Sequence, residues 1–213
     1  MTHTRAQHRS RARGLTLLEL IIAVAITSMI GLGISSMLTM VAQGTRTDQD
    51  RRSSVIRVHA LNVRLRAYLA DSLNLLQHDP TKGLAVWVHD LGSDRYIHVT
   101  EVRVLWWDAG TNTLSVERVE FPSGWSSFQK QVADVVVPSD ANFFSLMSGY
   151  RASGHTLEET LLDNIQSLSF SFNHADTQQA TQVEVMLLEQ ATQATSLDAL
   201  QTFGMPNHTT PRR

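Results

Sequence analysis

Arg13-Gly14-Leu15-Thr16-Leu17-Leu18-Glu19-Leu20-Ile21-Ile22-Ala23-Val24-Ala25-Ile26 is the stretch where a basic leader meets a long apolar run broken by one carboxylate. Residues 20–45 carry no formal charge, and a helix needs about 20 apolar residues to cross the hydrocarbon core of a bilayer. Residues 1–14 hold Arg5, Arg9, Arg11 and Arg13 and no acid, so the N-terminus is expected on the cytoplasmic side and the chain after the span outside. A secretory signal peptide would have a shorter apolar region, about 7 to 15 residues, ending in a small-residue cleavage site. Glu19 stands out. A carboxylate at the bilayer centre costs about 2.5 to 3.5 kcal/mol, so it must have a partner or sit near the membrane edge.

In order, these are basic residues, Gly14, an apolar Leu15, Thr16, Leu17, Leu18, Glu19 and Leu20. The sequence resembles the prepilin signal of type IV pilins and of the pseudopilins of type II secretion. The resemblance implies cleavage after Gly14 by a prepilin peptidase and methylation of the new N-terminus, Leu15, where that family usually has Phe or Met. It also implies a role for Glu19 in subunit assembly. Glu19 lies four residues past the proposed new amine, about 6 Å along a helix, so the two could pair within one chain at i, i+4. Helix N-termini disfavour an ammonium, and an amine there would gain from a carboxylate on a neighbouring chain.

Working outward, the span contains Gly31, Gly33, Gly44, Ser28, Ser35, Ser36 and Thr39, small residues that allow close helix approach in lipid. Residues 15–79 contain no proline. Val58, Leu61, Leu65, Leu69, Leu73 and Leu76 then recur at three- and four-residue steps, which predicts an amphipathic continuation of the helix over residues 46–79, ending before Pro80.

Beyond it the pattern turns strand-like. Val102, Val104 and Trp106 alternate, as do Leu114 and Val116 across a Gly-containing turn, which predicts a hairpin over residues 102–121 with a bulge near Glu117 and Arg118. Trp106 and Trp107 invite a carbohydrate-binding reading, although tryptophan in a strand more often covers a core edge. Residues 122–155 read as irregular, apart from a possible strand over residues 132–137 and a helical turn after Ala141. Such connections often carry function. Thr156-Leu157-Glu158-Glu159 fits a capping box and predicts a short helix. Leu168, Phe170 and Phe172 alternate with serines and predict a half-buried strand, with Val183, Val185 and Leu187 as its antiparallel partner. Residues 161–170 also resemble the late segment of J-type minor pseudopilins and W-type minor pilins. Residues 190–213, polar and Thr-rich, are expected to have little order.

Charge and composition limit the function classes. From Ala67 onward the chain has eight Lys and Arg against seventeen Asp and Glu, so nucleic acid is not the expected partner of the head, because it selects for basic surface. With no cysteine, disulfides and Cys-rich metal sites are excluded. The seven histidines beyond the leader show no paired-ligand spacing, and no serine-hydrolase elbow or phosphate loop is present. Asp90, Asp94, Asp108 and Asn112 could gather around calcium, though turns use these same residue types.

These readings converge on an α+β, pilin-like fold: leader 1–14, transmembrane helix 15–45, amphipathic helix 46–79, β-rich extracytoplasmic head 80–189 and tail 190–213. The resemblance implies a minor pseudopilin or minor pilin, not an enzyme and without cofactors. It would be anchored in the bacterial inner membrane and help to initiate or cap a filament for type II secretion or type IV pilus function. Its implied partners are prepilin peptidase, other minor and major pilins and the inner-membrane assembly platform. The alternative is a membrane-anchored adhesin binding through residues 122–155.

Overall fold

A computed structural model describes residues 16–192 and 195–212. The leader, Gly14 and Leu15 lie outside the described residues. Helix α1 spans Leu17–Leu69, and the chain divides into two compact units, residues 1–48 and 49–213. In the first unit Leu17–Thr45 is long and apolar enough to cross a membrane. Its large side chains, such as Leu17, Ile21, Met29 and Leu32, are exposed. Hydroxyls inside this run turn back on the helix: Thr27, Ser28 and Thr39 each donate to the carbonyl four residues earlier. Their polar atoms are thereby satisfied without an outside partner.

The second unit is an α+β head. A five-stranded antiparallel sheet runs β1 (Asn74–Asp79), β2 (Gly83–Trp87), β4 (Val102–Asp108), β5 (Thr113–Val119), β7 (Thr156–Leu162). A second antiparallel sheet orders β10 (Thr195–Gly204), β9 (Gln182–Thr192), β8 (Ile165–Phe172). The short strands β3 (Ile97–His98) and β6 (Val136–Val137) pair with each other. Leu61, Leu65 and Leu69 of α1 are buried in one core with Leu84, Leu105, Val116, Val185 and Leu187 from both larger sheets. Each such leucine contributes about 1.5 to 3 kcal/mol by leaving water.

The opposite face of the five-stranded sheet is also covered. Phe143, Phe144 and Met147 of α3 (Phe143–Ala152) are buried in a second core with Ala85, Trp87, Val102, Val104 and Val119. The two covered faces explain why the apolar phase of β5 shifts after Val116 without the expected bulge. Leu114 and Val116 face the α1 core, Val119 faces the α3 core, and the β4–β5 register runs unbroken from Arg103↔Arg118 to Asp108↔Thr113.

Four further expectations are corrected. Helix α1 stops at Leu69, not near Pro80. The Ser72 hydroxyl donates to the Leu69 carbonyl at 2.7 Å, and Leu73 N–H donates to Trp87 O at 2.7 Å, so the chain is drawn into the sheet. Leu73 and Leu76 keep helical spacing while standing on a strand path. Pro80 instead sits in the β1–β2 turn, where Asp79 accepts from Thr81 N–H at 2.8 Å. That turn closes on Gly83, at φ 120°, where a Cβ would meet Leu105 O at 2.0 Å.

Residues 156–159 form no helix. They pair with β5, because an open sheet edge outweighs the local capping pattern. Between residues 122 and 155 a capping box does form, by Ser126 with Gln129 at the start of α2 (Ser127–Ala133). Residues 122–155 are therefore largely ordered elements. The tail is also ordered: β10 pairs along β9, Phe203 and Met205 are buried, and Thr209 N–H donates to Leu73 O at 2.7 Å. Its apolar anchors are few, which made the segment read as polar.

Candidate functional site

At the start of α1, Thr16 and Glu19 close a capping box. Thr16 N–H and its hydroxyl donate to Glu19 Oε2 at 2.9 and 3.0 Å, and Glu19 N–H donates back to Thr16 Oγ1 at 3.3 Å. The carboxylate thus has partners within its own helix, satisfying donors that the first turn otherwise leaves open. The sequence carries the signal for this box as Thr16-Leu17-Leu18-Glu19, which sequence reasoning missed. Both residues precede the uncharged run and are exposed, so a neighbouring group can reach the carboxylate from outside the helix.

The other candidate residues lie in the head. Asp90 accepts from Asp94 and Arg95 N–H, and Asp108 accepts from Gly110 N–H and the Thr111 hydroxyl. These carboxylates are committed to their own turns. Asn112 takes the left-handed conformation of the β4–β5 turn, at φ 57°, and among the described residues no group of three His, Cys, Asp or Glu is placed to hold a metal.

Trp106 and Trp107 point to opposite faces. Trp107 is buried in the α1 core, and Trp106 lies under α3, where its indole N–H donates to Glu117 Oε2 at 2.7 Å. Glu117 also takes a two-pronged bond from Arg151 on α3, through Nε at 2.8 Å and Nη2 at 2.7 Å. The Arg151 guanidinium lies 4.8 Å from the Trp106 ring centroid. Burial pushes the Glu117 carboxyl up, but the bonds from Arg151, Thr156 and Trp106 outweigh it and hold it below the usual range. Sequence reasoning missed this trio because Glu117 and Arg151 are 34 residues apart.

His98 joins two loops. Its Nε2 lies 3.4 Å from Asp94 Oδ2, and its Nδ1 lies 3.2 Å from the Asp134 carbonyl and 3.9 Å from Asp134 Oδ2. Burial pulls the imidazole down, yet the hydrogen bonds to the Asp134 carbonyl and the Asp94 side chain and the charges of Asp134 and Glu101 raise it above its ordinary value. A raised histidine contributes stability that is complete below the unfolded value and is lost as pH rises through the folded one. The wild-type head should therefore lose a small increment, below about 1 kcal/mol, as pH rises from below to above the ordinary imidazole value of about 6.5. Thermal unfolding of wild type and His98→Gln across that range checks this, and parallel curves would refute it.

Residues 9–35 match the family model for the prokaryotic N-terminal methylation motif. The match supports a type IV pilin-like prepilin. It covers the Thr16–Glu19 box and the first part of the membrane-length apolar run, and it implies processing by a prepilin peptidase and assembly with other pilins. The apolar helix near the N-terminus fits a single-pass membrane anchor, and subunits with this motif are structural, not enzymes. No curated protein matches the chain.

Proposed function

We propose that this chain is a minor pseudopilin or minor pilin, cut after Gly14 and methylated at Leu15 by prepilin peptidase, that helps to initiate or cap a filament at the inner membrane. The leader, residues 1–14, stays in the cytoplasm and is removed. Residues 15–45 anchor the subunit, and the head lies on the other side of the membrane. The observation that carries this reading is the prepilin motif at residues 9–35, followed by a head in which a helix packs on an antiparallel sheet. The alternative, a membrane-anchored adhesin, would bind through residues 122–155, of which residues 143–152 form a helix that covers the sheet.

Glu19 is the proposed assembly residue, and its capping box makes the test sharper. Glu19→Gln keeps an acceptor for Thr16, since glutamine serves in a capping box as glutamate does, while it removes the charge. Glu19→Ala removes both. If the carboxylate pairs with the Leu15 amine of a neighbour, both variants should insert in the membrane and be cleaved normally yet lose crosslinks to neighbouring minor subunits by about tenfold or more. Retained crosslinking in Glu19→Gln would assign Glu19 to helix capping alone.

A further inference from the structure

Beside the Trp106–Glu117–Arg151 trio the head has an open cleft of about 590 Å³, within the range of small-molecule sites. It lies at the end of the sheet face that α3 covers. Lys82, Trp106, Asp108, Thr113, Arg151 and Glu158 line it. Glu117 fixes the indole and the guanidinium beside this opening: its side chain is fully buried while that of Arg151 remains 46% exposed. The Glu117 pair uses Nε and Nη2 of Arg151, leaving Nη1 outside it.

Charge narrows the class of ligand. Each cation already has a carboxylate: Lys82 Nζ lies 3.5 Å from Asp79, and Arg151 is paired with Glu117. Asp108 and Glu158 add two more acids to the lining, so a phosphate or free carboxylate would meet repulsion without an uncompensated cation to neutralise it. The cleft offers instead donors on Lys82 and on Nη1 of Arg151, carboxylates on Glu158 and Asp108 that can accept further bonds beside those from Ser115, Gly110 and Thr111, and the half-buried Trp106 indole. Closely spaced donors and acceptors beside a half-buried indole, one face of which the Arg151 guanidinium covers, suit a neutral molecule with many hydroxyls.

We propose that this cleft binds a neutral saccharide. The site would give the subunit a contact with glycan separate from its assembly role, and it stands or falls independently of that role. The test uses the full chain in a sugar-free zwitterionic detergent with ¹⁵N-labelled tryptophan. The four tryptophans give separate indole signals, and that of Trp106 reports directly through its bond to Glu117. Chitotriose, maltotriose, a neutral galactotriose and the acidic trigalacturonate are titrated to about 10 mM, weak binding being on the millimolar scale.

At least one neutral sugar should shift the Trp106 indole saturably and leave Trp87, buried in the α3 core, unmoved. Lys82→Ala with Glu158→Ala, two exposed positions, should weaken that binding about fivefold or more with the indole spectrum of the free protein otherwise retained. No saturable shift with any neutral sugar, tighter binding of trigalacturonate, or a response centred on Trp125 would overturn the proposal. So would binding unchanged in the double variant.

Discussion

A Gly14→Val chain should keep its leader when co-expressed with a prepilin peptidase, whereas the wild-type chain should lose residues 1–14 and gain one methyl group. The effect is expected to be near total. Glycine alone lets backbone be approached without a side chain in the way, and valine places a branched Cβ beside the proposed scissile bond, where it stiffens the chain as well. The substitution leaves the four arginines before the bond and the apolar run after it unchanged, so topology and anchoring should persist. Intact-mass measurement of the membrane fraction separates the two products. Normal processing of Gly14→Val would move the cleavage site elsewhere, while failure of both chains to be cut would refute the prepilin assignment.

The parts of this fold that could be read from sequence are those in which a local rule and the tertiary environment agree. Leu61, Leu65 and Leu69 follow a helical stripe and are buried as one. Leu168, Phe170 and Phe172 alternate in β8, which pairs with β9 as the pattern implies. Where a local rule met a competing partner, the partner prevailed. Leu73 and Leu76 continue the helical spacing, but Asn74–Asp79 pairs with β2. Thr156 and Glu159 satisfy a capping pattern, yet the edge of β5 takes residues 156–162 into the sheet. Local propensity is a weak prior against a sheet edge with unsatisfied backbone groups.

The candidate sites divide in the same way. Glu19 stands out in the sequence because a carboxylate in an apolar helix is costly wherever it occurs, but its capping partner Thr16, three residues away, was not read as one. Glu117 does not stand out. In sequence it reads as an interruption in an apolar strand. Its burial becomes intelligible only when α3 brings Arg151 across the sheet, a contact that no spacing rule encodes.

Arg151→Ala should destabilise the head by about 2 to 4 kcal/mol at neutral pH. Losing one partner of a fully buried ion pair costs about 3 to 5 kcal/mol because the other charge is stranded, and the half-exposed Arg151 side chain lowers that figure through solvent screening. The pH dependence distinguishes a stranded charge from lost packing. In the wild type the Glu117 carboxyl is held below its ordinary value, so its contribution is complete above the unfolded carboxylate value and is lost as pH falls through the folded one. In Arg151→Ala burial should dominate and raise the carboxyl instead. The gap between the two proteins should then widen as pH rises through the carboxylate range and close in acid. Adding Glu117→Leu to Arg151→Ala should recover most of the loss, since an apolar residue there strands no charge, at the cost of the bond from Trp106. Chemical denaturation of the detergent-solubilised full chain, followed by tryptophan fluorescence, measures all three proteins. A gap that stays constant with pH, together with no recovery in the double variant, would mean that Arg151 holds α3 on the sheet through packing alone.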